Sequence, residues 1–183
     1  MSLADLGIDH DWTLFLDRDG VINHRIPGDY IRTWDQFEFL PGSINAIASL
    51  SNAFGRIVVV TNQQGIGKGL MNADDVHHIH ACMTQAIADG GGRVDAIYHC
   101  PHLAGAGCDC RKPATGMARA AQCDHPAIDF SRSLMAGDSD HDVAFGHAVG
   151  MITVGLGDRI APGLPEADYF LAGLPQLADA ISR

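Results

Sequence analysis

Short apolar runs, each ending in polar residues, recur along the chain and constrain its fold more than any other feature. Each run is apolar at odd and even positions alike, which is typical of strands covered on both faces. The runs span residues 12–16, 57–60, 96–98, 133–136, 151–154 and 169–171. This pattern predicts strands buried in the middle of the protein.

Helical patterns separate most of these strands, because apolar residues recur there at intervals of three and four. The predicted helical windows are 44–51, 76–87, 117–123 and 140–148. Asn72 suits the N-cap of the second helix, and Gly150 suits the C-terminal cap of the fourth. Strands that alternate with helices predict an α/β fold with a parallel sheet and right-handed crossovers. Because no internal repeat or linker is visible, residues 1–183 are predicted to form one domain.

The charge balance excludes some classes of partner. The 183 residues include 12 Lys and Arg against 22 Asp and Glu, a formal net charge of −10. Nucleic acids and anionic membranes attract positively charged surfaces, so neither is expected as a partner. No apolar run approaches the length of a membrane span, and the first residues lack the pattern of a secretory signal. We therefore expect a cytoplasmic protein.

Two carboxylates follow the first predicted strand. Asp17 and Asp19 are two residues apart, so in extended backbone both side chains project to the same side. At a separation of about 4 Å they would repel by roughly 4 kcal/mol at an effective dielectric near 20. A divalent cation removes that cost, and Mg²⁺ suits oxygen ligands. The pair also suits phosphoryl transfer, in which one carboxylate attacks phosphorus and the other handles the leaving-group proton. Taken alone, an ordinary Asp-Gly turn is the alternative.

Further polar elements are predicted to reach the same edge of the sheet, because ligands of parallel sheets bind beyond the carboxyl ends of the strands. A hydroxyl, an amide and a glycine-containing loop can contact phosphate oxygens, and two cations can neutralise them. These elements are Thr61 and Asn62, the loop 63–69, Arg111 with Lys112, and Asp138. Each alone is compatible with a polar turn, a solvated charge or a helix cap. Their recurrence after strands and in a long connection favours a phosphate site.

Three cysteines and a histidine lie within 11 residues, as Cys100, His102, Cys108 and Cys110. Three thiolates and one imidazole predict a closed tetrahedral Zn²⁺ site with a structural role. A disulfide is the weaker alternative, because it would leave a third thiol. The zinc would fold the long connection and aim the cations that follow it. His77, His78 and His80 are expected on a solvated helix face, and Cys82 and Cys123 are expected to be buried residues on helices.

Four motifs in order resemble those of the haloacid dehalogenase superfamily. They are the segment 15–23 (FLDRDGVIN), the segment 59–63 (VVTNQ), the segment 111–113 (RKP), and Gly137-Asp138 with Asp142. Within the superfamily the chain resembles the heptose bisphosphate phosphatases and the related histidinol phosphatases. The resemblance implies a Rossmann-like three-layer fold with a minimal cap and a zinc-binding loop.

The resemblance also implies roles for individual residues. Asp17 would be the nucleophile that forms an aspartyl-phosphate, and Asp19 would be the general acid and then the base. Thr61 and Lys112 would stabilise the transferring phosphoryl group. The carboxylate of Asp17, the backbone carbonyl of Asp19 and Asp138 would hold Mg²⁺, with support from Asp142.

The expected activity is a Mg²⁺-dependent phosphatase acting on a small phosphorylated sugar, with the chain a monomer. The favoured reaction removes the 7-phosphate of D-glycero-D-manno-heptose 1,7-bisphosphate, on the route to lipopolysaccharide; histidinol phosphate is the alternative substrate. Predicted substrate contacts are Arg25, Asn62, Gln63, Gln64 and Arg111. Ser139 departs from many heptose phosphatases, which have a lysine there. A non-catalytic phosphate-binding module and a phosphomutase are further alternatives.

Overall fold

The strands form one parallel sheet. The computed structural model describes residues 2–157 and 166–182. Within these residues the strand order is β3-β2-β1-β4-β5-β6, and each pair of neighbours is parallel. The strands are β1 (Thr13–Leu16), β2 (Arg56–Asn62), β3 (Ala96–Cys100), β4 (Ser133–Gly137), β5 (Ile152–Leu156) and β6 (Tyr169–Leu171). The predicted α/β class is confirmed, and each predicted strand is present.

Helices connect the strands, and their ends follow local capping chemistry. They are α1 (Ser43–Ala53), α2 (Ala73–Asp89), α3 (Gly116–Asp124), α4 (Asp140–Val149) and α5 (Leu174–Ile181). The Asn72 side chain accepts a hydrogen bond from the Asp75 N–H, which caps α2 as predicted. Gly150 ends α4 with a φ of 84°, a conformation in which a side chain is strained. The sequence analysis did not predict α5.

The sheet is covered on both faces. Along β1, Leu14 and Leu16 pack into one apolar cluster, whereas Phe15 packs into the other. The first cluster includes residues of α1, α2 and α5, and the second includes residues of α3 and α4. Successive side chains of a strand point to opposite faces of the sheet, and both faces are buried. This explains why the strand sequences are continuously apolar. The result is the expected three-layer arrangement.

The connection from β1 to α1 contains little regular structure. Residues 17–42 are all described, and they contain one 3-10 helix, Trp34–Gln36, and two isolated bridges formed by Asn23. Phe37 anchors the segment, because its ring centroid lies 5.0 Å from those of Trp34 and Phe39. This short segment agrees with the predicted minimal cap. In the part of the chain that the structure covers, no helix has both the length and the apolar character of a membrane span.

Candidate active site

The predicted polar residues meet at the carboxyl edge of the sheet. β1 lies between β2 and β4, so the residues that end these three strands are neighbours. A cavity of about 590 Å³ opens at this edge. Its lining includes Asp17, Asp19, Arg25, Tyr30, Thr61, Asn62, Gln64, Lys68, Arg111, Lys112, Ser139, His141 and Asp142. This placement brings together most of the side chains that the sequence analysis selected.

Lys112 lies between two buried carboxylates. Its Nζ donates to Asp17 Oδ1 at 2.8 Å, to Asp142 Oδ1 at 2.5 Å and to the Val60 carbonyl at 2.7 Å. Burial, which would lower the pKa of Lys112, is outweighed by Asp142 and Asp17, so this pKa is raised. Burial raises the pKa of Asp17 to about 7; Lys112 opposes this change, while Asp142 and Asp138 add to it. One ammonium group is therefore shared by two buried carboxylates, and Asp17 is the one that binds a proton more readily than usual.

Asn62 fixes the backbone that carries this lysine. Its Oδ1 accepts from the Lys112 N–H at 3.0 Å, and its Nδ2 donates to the Lys112 carbonyl at 3.2 Å. This reciprocal pair joins the end of β2 to the distant connection that contains Arg111 and Lys112. Asn62 lines the cavity, but both groups of its amide are engaged in positioning Lys112.

Three donors orient the Asp19 carboxylate. Arg18 Nη2 lies 3.0 Å from both of its oxygens, Asn23 Nδ2 donates to Oδ1 at 2.9 Å, and Gln63 Nε2 donates to Oδ2 at 2.8 Å. Burial would raise the pKa of Asp19, but Arg18 and the Asn23 and Gln63 hydrogen bonds lower it. Gln63 is buried and also donates to Thr61 Oγ1 at 2.9 Å. It is not among the residues that line the cavity, so its observed place is behind Asp19.

His80 supports Arg18 from the interior, and the sequence analysis missed both. Arg18 is completely buried, and its Nη1 lies 3.1 Å from His80 Nε2. Because arginine only donates, this imidazole nitrogen is the acceptor. Burial and the nearby Arg18 lower the pKa of His80 to about 3. The expectation of a solvated face is wrong for His80, because it lies among the buried apolar residues of α2.

Asp138 completes a group of acidic side chains suited to a cation. One carboxylate oxygen from each of Asp17, Asp138 and Asp142 lies within 4.8 Å of the others, and all three residues are buried. When all three carboxylates are ionised, they and Lys112 sum to a charge of −2, of which Arg25 beside Asp138 offsets a part; a divalent ion favours this ionised form. Gly20 permits this approach: its φ is 95°, and a Cβ built there would lie 2.1 Å from Asp138 Oδ2. The donor set therefore fits Mg²⁺.

Arg25 and Arg111 bring positive charge to the cavity. Arg25 Nη2 lies 3.1 Å from the Asp19 carbonyl and 3.2 Å from Asp138 Oδ1. Arg111 Nη1 is buried and has no hydrogen-bond partner among the described residues. A buried guanidinium nitrogen without an acceptor is costly, and an anionic ligand would satisfy it. Gln64 also lines the cavity, while its Oε1 accepts from the Ala104 N–H at 3.1 Å.

Ser139 occupies the N-cap of α4 at the cavity wall. Its Oγ donates to Asp142 Oδ2 at 2.6 Å, and its N–H lies 3.1 Å from the same oxygen. Asp142 thus uses one oxygen to close the capping box and the other to hold Lys112. A Cβ at Gly137 would lie 2.2 Å from Asp142 Cβ, so this packing requires glycine.

The cysteine-histidine cluster converges as the spacing predicts. His102 Nδ1 lies 3.6 Å from Cys100 Sγ and 3.1 Å from Cys110 Sγ. Cys108 Sγ lies 3.6 Å from Cys100 Sγ and 3.7 Å from Cys110 Sγ, while Cys100 and Cys110 are 2.9 Å apart. Tetrahedral Zn²⁺ with sulfur ligands at about 2.3 Å sets sulfur pairs about 3.8 Å apart, so two of the pairs fit closely.

The other two cysteines lie outside this cluster. Cys82 is half-buried on α2, and Cys123 is exposed on α3. The expectation that both are buried is therefore wrong for Cys123, and Cys82 is only half-buried.

Several known proteins are similar to this chain in sequence. The HAD-hydrolase-like family profile matches residues 109–158. A D-glycero-alpha-D-manno-heptose-1,7-bisphosphate 7-phosphatase of Mycobacterium tuberculosis is 41% identical over 165 residues, which cover 87% of this chain and 87% of the relative. A D-glycero-beta-D-manno-heptose-1,7-bisphosphate 7-phosphatase of Pseudomonas putida is 39% identical over 170 residues, covering 90% of this chain and 96% of the relative.

A solved structure shares the whole architecture. The D,D-heptose 1,7-bisphosphate phosphatase from B. bronchiseptica, complexed with magnesium and phosphate, superposes with a TM-score of 0.82. It is 33% identical, and the match covers 92% of this chain and 96% of that chain. The chain therefore belongs to the haloacid dehalogenase-like hydrolases, as a phosphoric monoester hydrolase in the family of the heptose-1,7-bisphosphate 7-phosphatases.

Proposed function

We propose that this enzyme removes the 7-phosphate of D-glycero-D-manno-heptose 1,7-bisphosphate through an aspartyl-phosphate on Asp17. The observation that carries the proposal is the Asp17–Lys112–Asp142 cluster beside the oriented Asp19 carboxylate. The relatives support the sugar, since they are phosphatases named for the alpha or the beta anomer of this heptose bisphosphate. We also propose that residues 1–183 form one catalytic domain.

In the first step, an Asp17 oxygen attacks phosphorus while the bond from phosphorus to the sugar oxygen breaks. The sugar oxygen takes the proton of Asp19, so the alcohol leaves in neutral form. In the second step, the Asp19 carboxylate removes a proton from water, and the water oxygen attacks the phosphorus. Asp17 then leaves as a carboxylate, and inorganic phosphate is released. Arg18 and Gln63 position Asp19 for both proton transfers.

Positive groups around the phosphoryl oxygens lower the barrier, because charge spreads over these oxygens in the transition state. Lys112 supplies one fixed charge next to Asp17. Thr61 Oγ1 accepts a hydrogen bond from Gln63 Nε2. This bond orients the Thr61 hydroxyl so that its proton can be donated to a phosphoryl oxygen. Arg25, Gln64 and Arg111 contribute substrate contacts, and the buried Nη1 of Arg111 has no hydrogen-bond partner among the described residues. Asn62, predicted as a further contact, acts by positioning Lys112.

Asp17, Asp138 and the Asp19 carbonyl are proposed to hold Mg²⁺, with Asp142 behind them. When bound, the ion neutralises the carboxylates that would repel an anionic ester. The magnesium in the B. bronchiseptica relative supports this cofactor.

Cys100, His102, Cys108 and Cys110 are proposed to hold Zn²⁺ as a structural ion. Burial would raise the pKa of Cys108, but hydrogen bonds from the Arg111 N–H and the neighbouring thiols lower it to about 7. A thiolate is the form that binds metal. Free thiols persist in reducing compartments, which supports a cytoplasmic location. We also propose that the protein is a monomer.

A panel of phosphate esters assayed with Mg²⁺ tests the substrate. We expect the largest kcat/KM for a heptose 1,7-bisphosphate, and both anomers should be compared. A larger kcat/KM for histidinol phosphate would overturn the assignment.

The intermediate is tested separately by intact-mass detection of a phosphorylated enzyme after rapid quench. The signal should be present in wild type and absent in Asp17→Asn. A phosphoenzyme that persists in Asp17→Asn would exclude Asp17 as the nucleophile, whatever the substrate.

A further inference from the structure

Arg25 lies against two of the oxygens that we assign to the metal. Its Nη2 is 3.1 Å from the Asp19 carbonyl and 3.2 Å from Asp138 Oδ1. Both oxygens belong to the ligand set under the proposed function, on which this inference rests. The Arg25 guanidinium therefore contacts the position where the metal ion is expected.

This position lies where two cavities meet. The catalytic cavity is lined by Asp17 and Asp19, whereas Asp138 and Gly20 line a neighbouring cavity of about 540 Å³. Arg25 lines both cavities. Its guanidinium can thus move into the catalytic cavity without crossing the apolar core.

The charges of the site explain why a guanidinium is held there. The acidic group contains three buried carboxylates, and among the described residues the buried Lys112 amine pairs with two of them, Asp17 and Asp142. Arg25 reduces this excess, and a divalent ion at the same oxygens would repel it. The Arg25 side chain is 39% exposed, so it can leave without losing a packed environment.

We propose that Arg25 is the resident counter-cation of the metal-free enzyme, and that metal binding expels its guanidinium into the catalytic cavity, where it contacts the second anionic group of the substrate. Metal and arginine then compete for the Asp138 and Asp19 oxygens. The released arginine completes the binding site for a doubly anionic sugar. Metal binding and substrate binding are coupled as a result, and this coupling is reciprocal.

Metal affinity in the absence of substrate tests the competition. Mn²⁺ binding followed by electron paramagnetic resonance, and Mg²⁺ binding followed by calorimetry, are compared for wild type and Arg25→Met. Removing the competitor should tighten metal binding by about three- to tenfold. Unchanged or weaker metal binding by Arg25→Met would overturn the proposal.

Arg32→Met is the matched control for the loss of one positive charge. Arg32 lies in the same connection, has a side chain that is 37% exposed and pairs with Asp29. Its substitution should leave metal affinity within about twofold of wild type, since Arg32 contacts neither metal oxygen. Equal tightening in both variants would show a general charge effect and would contradict the role given to Arg25.

The second half of the proposal is tested with the metal-saturated enzyme. For a heptose bisphosphate, Arg25→Met should raise KM by about tenfold or more, with a smaller change in kcat. For p-nitrophenyl phosphate, which has one phosphate, KM should change much less. An equal KM change for both esters would refute the contact with the second anionic group. If the metal result holds but no heptose bisphosphate is hydrolysed by wild type, the proposed substrate fails while the competition stands.

Discussion

Arg18 and His80 form a buried pair behind the site, with Arg18 Nη1 3.1 Å from His80 Nε2. Arg18 in turn contacts both oxygens of Asp19, and its Cζ lies 5.9 Å from the Phe37 ring centroid. The position of the Asp19 carboxylate therefore depends on a neutral imidazole in the interior of the protein.

Acid should weaken the fold through His80. Its pKa is about 3 in the folded protein, against an ordinary value of 6.5. Between these values the unfolded chain binds the additional proton, so the free energy of unfolding falls as pH falls below about 6.5. The contribution is at most about 1.4 kcal/mol per pH unit. Urea unfolding at pH 7.5, 6.5 and 5.5 measures it.

His80→Gln is the comparison, because glutamine keeps a hydrogen-bond acceptor but does not titrate. The difference in unfolding free energy between wild type and variant should depend on pH in this interval. A difference that is constant from pH 7.5 to 5.5 would show that His80 does not carry the effect.

Lys112→Met should impair stability and catalysis for different reasons. The substitution leaves Asp17 and Asp142 buried without their shared cation, which costs about 3–5 kcal/mol of unfolding free energy in metal-free buffer. Loss of the charge near the phosphoryl group should lower kcat by roughly 10²- to 10³-fold. Denaturant titration and steady-state kinetics measure the two effects.

Adding Asp142→Asn to Lys112→Met separates these effects. The double variant removes one of the repelling carboxylates, so part of the stability should return while kcat remains low. Recovery of kcat together with stability would mean that Lys112 acts through folding alone.

Gly20→Ala should weaken Mg²⁺ binding. The new Cβ would lie 2.1 Å from Asp138 Oδ2, so that carboxylate must move. We expect about a tenfold loss of affinity, which is typical of a disturbed ligand environment. Calorimetry with Mg²⁺ provides the measurement.

Gly69→Ala controls for backbone strain in this experiment. Gly69 has a φ of 68°, and a Cβ there would meet no atom within 4 Å. The Gly69→Ala substitution should lower the free energy of unfolding by roughly 1–2 kcal/mol, the general penalty of a side chain in the left-handed conformation. Its Mg²⁺ affinity should be unchanged. If both variants bind Mg²⁺ equally well, the close approach of Gly20 to Asp138 is unimportant for the metal.

Cys110→Ser should remove zinc and damage catalysis. Arg111 and Lys112 follow Cys110 directly, so the connection that aims both cations loses an anchor. The melting temperature should fall by roughly 10 °C, and kcat/KM by about 10- to 100-fold. Elemental analysis, thermal melts and kinetics measure these changes.

Cys123→Ser tests whether any cysteine has this effect. Cys123 is exposed and lies outside the cluster, so zinc content, melting temperature and kcat/KM should match wild type. If Cys110→Ser retains a full equivalent of zinc, the four-ligand assignment fails.

The strands and the reacting groups could be predicted from the sequence because both follow local rules. A run such as Ile57–Val60 is apolar at odd and even positions alike. Asp17 and Thr61 come directly after such runs, and Asp138 follows one after a single glycine. The carboxyl ends of neighbouring parallel strands then meet at one edge. The cysteine cluster was equally accessible, because its four ligands lie within 11 residues.

The residues that support the site were harder to predict, because their partners are distant in sequence. Nothing local to Arg18 indicates that its guanidinium is fully buried against His80, 62 residues away. For His80 a signal was present: it lies four residues after Val76 and three before Met83, on the same helical face. The helix α5 also had a signal, since Leu174, Leu177 and Ala178 have helical spacing and are buried. Its eight residues made that pattern short.

Three of the groups proposed to act on the phosphate and two residues of the cavity wall are attached to different parts of the backbone. Asp17, Thr61 and Asp138 are held at the ends of hydrogen-bonded strands, whereas Tyr30 and Lys68 project from connections. Substitution of Tyr30 or Lys68 can therefore alter which alcohol is accepted without moving the groups at the strand ends. Proteins with this scaffold can thus differ in the alcohol that they release while they keep the same phosphoryl-transfer reaction.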